Sequence, residues 1–124
     1  MASKEKKPQP VPASFWCSET GNEPVREWLK GLPKEERAAI GDDLRLLQFG
    51  WPVGMPLNRP LGGGLHEMRT SLPTKKISRL IFTHHDGTLV ILHGFIKKTK
   101  KISMADMNLA KKRKKDLGKE DGKK

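Results

Sequence analysis

The chain has 124 residues, with 25 Lys and Arg against 14 Asp and Glu, a formal charge of +11 and one cysteine, Cys17. That length holds one domain with one modest core and excludes a multidomain machine, while a single cysteine excludes an internal disulfide framework and a cysteine-rich zinc site. A surplus of positive charge this large makes polyanions the natural partners, nucleic acid first among them.

The longest strictly apolar run, Leu89-Val90-Ile91-Leu92, falls far short of the ~18 residues that a membrane span needs. The residues Met1 to Pro8 carry charge with no hydrophobic stretch after them, so no secretory signal is read. A soluble cytoplasmic protein without membrane contact is expected. From Lys97 to Lys124 there are 12 Lys and Arg against 4 Asp and Glu, a net +8 of the total +11. Residues 1–10 are expected to form a flexible basic arm and 118–124 a flexible basic tail, leaving 11–117 as a single ordered domain.

In chain order, Val11 to Cys17 holds aromatic and β-favouring residues, and Pro12 marks it as an edge strand or an extended lead-in. Asn22 can cap a first helix in which Pro24 takes an early position and Val25, Trp28 and Leu29 share a stripe; Gly31 stops it. Pro33 opens a second helix with Glu35 and Glu36 in its first turn, Ile40, Leu44 and Leu47 on one face, and Gly50 as its C-cap. The stretch through Gly54, Pro56, Pro60 and Gly62-Gly63-Gly64 reads as a loop; the glycine triplet lacks the Lys-Ser/Thr of a phosphate-binding loop and is read as a turn. Three strands follow, Leu65 to Leu72, Ile77 to His84 and Thr88 to Ile96, the last two joined by the hairpin dipeptide Asp86-Gly87. The last strand is apolar on both sides and is expected to be central. Ser103-Met104-Ala105-Asp106 resembles a capping box that opens a basic helix to about Leu117. The expected order is β-α-α-β-β-β-α.

Arg69 and Arg79 fall on adjacent antiparallel strands, where two guanidinium forks can address one phosphate; the plainer reading of each is a sheet-face charge paired with a group such as Glu67. His93-Gly94-Phe95-Ile96-Lys97-Lys98-Thr99-Lys100-Lys101 is an apolar strand running into a cationic turn. Phe95 can stack a base while Lys97, Lys98 and Lys101 hold phosphates, although Phe95 reads more simply as core. Among the four histidines no spacing supports a metal site, and His84 and His85 are adjacent residues that point to opposite faces. His93 shares a face with Phe95 and is the best placed to act as acid or base, against the plainer reading of a satisfied, half-buried histidine. The run Lys111 to Lys115 marks polyanion affinity in general and reads as a solvated helix face.

Leu61-Gly62-Gly63-Gly64-Leu65-His66-Glu67-Met68-Arg69, Arg79-Leu80-Ile81-Phe82 and Leu92 to Lys101, together with Pro24 to Leu29 and Leu109 to Arg113, resemble the phage-derived HigB-like branch of the RelE/ParE toxin superfamily. The resemblance spans roughly Phe15 to Leu117. It implies an α+β, RelE-like domain, a helical hairpin packed on one face of a twisted antiparallel sheet whose other face is concave and basic. It implies the toxin of a type II toxin–antitoxin module, a ribosome-dependent mRNA interferase that cuts RNA by metal-free 2′-OH transesterification without a cofactor. The implied partners are a helix-turn-helix antitoxin, mRNA and the ribosome. The site it implies has Arg69, Arg79, Lys97 and Lys98 as catalytic residues and Phe95 and Thr99 against the substrate; Lys101 and His93 join these last two from the residue reading, and Glu67 is orienting or structural. The chain departs from some relatives in having no tyrosine and no histidine in its last helix, which leaves the general base unassigned. Two other readings fit: a non-catalytic basic module that binds nucleic acid or the ribosome, and a ParE-like gyrase inhibitor.

Overall fold

The computed structural model describes residues 9–97 and 101–122. The element order is β1 (Ala13–Phe15), α1 (Pro24–Lys30), α2 (Lys34–Gly50), β2 (Asn58–Gly62), β3 (Leu65–Ser71), β4 (Ile77–His85), β5 (Thr88–Lys97) and α3 (Met104–Gly122). The fold is α+β, as expected, with one more strand than the sequence announces. That strand is β2, which pairs antiparallel with β3 at the sheet edge through Asn58↔Met68 and Arg59↔Glu67. Pro60 and the glycines hide it in the sequence, and an edge strand tolerates a proline because one side of it has no ladder to complete. Gly62, Gly63 and Gly64 all have positive φ and make the turn into β3.

The five strands lie in the order β1-β5-β4-β3-β2. β1 is an edge strand and runs parallel to β5, so the sheet is mixed rather than wholly antiparallel. β5 is internal, flanked by β1 and β4. Asp86 and Gly87 both have positive φ, as the tight turn between β4 and β5 requires.

Helix ends differ in detail from the sequence reading. Asn22 does not cap α1; its backbone N–H donates to Ser18 Oγ over 3.0 Å and its side chain donates to Thr20, so it closes the preceding turn. Glu23 holds the N-cap position without a side-chain bond, and Pro24 begins the helix, where a missing N–H costs nothing. Gly50 is the last residue of α2 and Trp51 its C-cap. In α3 the expected cap forms, with the Asp106 N–H donating to Ser103 Oγ over 3.1 Å, and the helix continues to Gly122, beyond Leu117.

Each face of the sheet carries its own core. On one, α1 and α2 cover Met68, Leu72, Leu80, Phe82, Leu89 and Ile91 with Val25, Ile40 and Leu47. On the other, α3 brings Ala110 against Leu65, Ile81, Val90, Leu92 and Phe95. The face expected to be open and concave is therefore partly roofed by α3. A bulge makes this packing possible: Ile81 pairs with His93 and Phe82 with Ile91, leaving Leu92 as the extra residue on β5. Val90 and Leu92 thus serve the α3 side, while Gly94 faces α1, where a Cβ would lie 2.8 Å from both Trp28 and Leu80. Among the described residues, no helix is long and apolar enough to cross a membrane.

Candidate functional site

Arg69 and Arg79 are direct partners across β3 and β4, and Arg79 is in turn opposite Phe95 on β5. The register therefore lines up three of the expected residues in one row. Their environments separate them. The Arg79 side chain is 1% exposed, and its Nη1 donates to Glu67 Oε2 over 2.6 Å. Glu67 is itself fully buried, so this is an interior ion pair, and the two guanidinium groups do not form one exposed fork. Arg69 is half-buried and lines a cleft of about 530 Å³ together with Asp43, Ser71 and Ile77. Its Nε is buried and has no hydrogen-bond partner among the described residues, nor does Glu67 Oε1.

Phe95 is 8% exposed and belongs to the core under α3. It is a core residue and not an exposed stacking platform. Lys97 ends β5 opposite Ile77, and Lys101 is exposed just before α3. Lys98 and Thr99 lie outside the described residues. His93 donates from Nε2 to Asp106 Oδ1 over 2.7 Å, while Asp106 Oδ2 accepts the Ser103 hydroxyl at the same distance. Its ring lies 5.4 Å from that of Phe95, and its side chain is 16% exposed. It is thus a bonded, half-buried histidine that ties β5 to the start of α3.

Two features escape the sequence reading. Arg113, in the lysine run read as a solvated face, turns inward: Nη1 donates to the Leu92 carbonyl at 2.8 Å, and the guanidinium lies 4.7 Å over the Trp16 ring. Burial lowers its pKa from the usual arginine value. The signal was present in the position of Arg113 three residues beyond Ala110 on one helix face, but only the fold supplies the carbonyl exposed at the bulge. The second feature is His66, packed against Trp51 and Phe82 with its Nδ1–H donating to Asn58 Oδ1 over 3.1 Å. Burial first, and then the neighbouring His84, hold its pKa below the ordinary histidine value.

Among the described residues no group of three or more His, Cys, Asp or Glu side chains is arranged to hold a metal ion. The exposed charges that the expected set offers are cationic, Arg69 at an open cleft and Lys101 before the start of α3, while the buried Glu67–Arg79 pair is charge-balanced. No curated protein matches the chain by sequence. The family described as phage derived protein Gp49-like (DUF891) matches residues 27–115, which takes in α1 from its middle, the whole of β2 to β5 and most of α3. The chain therefore belongs to the Gp49-like phage-derived family, a family of toxins of toxin–antitoxin systems whose partners are antitoxins.

Proposed function

We propose that this toxin is a ribosome-dependent mRNA interferase of the RelE/HigB type, acting in the cytoplasm and neutralised by a helix-turn-helix antitoxin. The observation that carries the reading is Arg69, half-buried on the wall of an open cleft and in register with the held Arg79. The exposed part of a half-buried guanidinium on a cleft wall is a donor suited to a phosphate oxygen of RNA, while its buried Nε faces the interior. In the reaction, the 2′-oxygen attacks the adjacent phosphorus in line and loses its proton to solvent. The bond from phosphorus to the 5′-oxygen breaks, that oxygen takes up a proton, and a cyclic phosphate and a 5′-hydroxyl end result.

Arg69 stabilises the charge that develops on the phosphoryl oxygens. Arg79, its charge balanced by Glu67 and with Phe95 opposite, is a positioning residue that keeps this part of the sheet rigid. Lys97 and Lys98 orient the scissile strand, Thr99 and Lys101 contact its phosphates, and His93 holds the α3 start through Asp106; the roles of Lys98 and Thr99 rest on the family resemblance alone. The ribosome completes the attack geometry, so no strong base is required of this chain.

Primer extension on mRNAs from cells after brief induction tests the reading, with Arg69→Ala as the control. New 5′ ends inside translated frames, reduced about a hundredfold or more by Arg69→Ala, are expected. Intact mRNA with growth arrest would redirect the target to gyrase, and intact mRNA with steep salt-dependent RNA binding would leave a binding module.

A further inference from the structure

A second concavity, of about 630 Å³, lies between α3 and the glycine turn that joins β2 to β3. Its floor is apolar: Leu65 is 2% exposed, and Leu61 and Met107 pack against the same core. Its rim is cationic, with Lys111 and Lys115 exposed and Lys114 half-buried. Lys114 is held down on the turn, since a Cβ at Gly64 would sit 2.9 Å from its Cε. The groove is thus a built wall-and-floor arrangement rather than a loose lysine cluster. It lies at the Leu65 end of β3, four residues or roughly 13 Å of strand from Arg69, on the same face of the sheet.

We infer that this groove is a docking surface for an acidic amphipathic peptide segment of the antitoxin, with an apolar side chain seated over Leu61, Leu65 and Met107 and flanking carboxylates on Lys111, Lys114 and Lys115. Charge and polarity together select this occupant. Three cations with no carboxylate among the described lining residues call for an anionic partner, and an apolar floor calls for one with hydrocarbon to bury. RNA satisfies only the first condition: among the described residues no aromatic side chain lines the groove to stack a base, and a phosphate backbone gains nothing from leucine and methionine. The inference rests on the pairing of toxin with antitoxin in this family and not on the nuclease reading, because a segment held here leaves the Arg69 cleft open and acts on a separate surface.

The test uses the full-length chain and a fluorescein-labelled amphipathic helical peptide of about 14 residues, with Glu on one face and Leu on the other, read by fluorescence anisotropy. Wild type is expected to bind, and Lys111→Glu/Lys115→Glu to weaken binding at least about tenfold with an unchanged melting temperature. Lys101→Glu, which lowers the net charge by two units instead of four and lies outside the groove, is expected to change it less than about threefold. A peptide with the leucines replaced by serine and the charge kept is expected to bind about tenfold more weakly. Equal binding of the serine peptide, or an equal effect of Lys101→Glu, would overturn the proposal in favour of unspecific charge attraction. Binding of a single-stranded RNA oligomer that falls more than peptide binding in the groove variant would assign the groove to nucleic acid instead. Primer extension with the same groove variant separates the two proposals: loss of peptide binding with mRNA cleavage reduced far less than by Arg69→Ala is the expected pair of results.

Discussion

Glu67 and Arg79 show what one interior ion pair demands of its neighbours. Moving both charges out of water is costly, and a 2.6 Å charge-assisted bond offsets much of that cost only while both partners are present. Glu67→Gln is therefore expected to lower stability by about 3 kcal/mol, measured by urea unfolding, because it strands the Arg79 cation in the interior. Replacing both residues by methionine is expected to recover most of that loss, since an apolar pair needs no charge compensation. Sequence spacing puts Glu67 and Arg69 on one face of a strand and Arg79 on the strand beside it; the register that brings the three to one sheet face, and the burial of Arg79, come from the fold. His66 makes a second prediction at this scale. Its folded pKa is depressed, so the folded state binds fewer protons than the unfolded chain in acid. Its contribution is full above about pH 6.5 and is lost as the pH falls through the folded value. The urea midpoint of the wild type should drop on acidification below pH about 6.5 more steeply than that of His66→Phe.

Among the elements, α3 is held by contacts that its composition conceals. Arg113 reaches the Leu92 carbonyl and the face of Trp16, which joins the helix to the bulge of β5 and to the residue after β1. Arg113→Ala is expected to lower the melting free energy by about 1–2 kcal/mol, whereas Lys112→Ala, on an exposed position of the same helix, should change it by less than about 0.5 kcal/mol. Gly94 carries the corresponding constraint on the opposite face. Its missing Cβ admits Trp28 and Leu80 to contact, so Gly94→Ala should cost about 1–3 kcal/mol by overpacking, read by thermal unfolding. The helices and the three long strands were legible because their apolar periods and turn dipeptides are local signals. β2 was not, because an edge strand of Asn58–Gly62 has no periodic apolar face and owes its extended form to pairing with β3.

For the molecule as a whole, the uneven charge controls association more than folding. With +8 of the +11 lying from Lys97 onward, RNA affinity should fall linearly with the logarithm of salt concentration, and removing a phosphate contact by Lys101→Gln should flatten the slope by about 0.7. Filter binding across a salt series measures this. The sequence by itself determined the α+β class, the two successive helices α1 and α2, the hairpin turn at Asp86-Gly87 and the cationic character of the end of the chain, since each depends on residue types within a few positions of one another. Only the tertiary structure decided that the sheet is mixed, that α3 roofs part of its second face, that Arg79 is sequestered by Glu67 while Arg69 lines the cleft, and that a lysine-rimmed groove forms beside the glycine turn. Burial and register depend on segments far apart in the chain, and the free energy that selects them appears only when those segments meet.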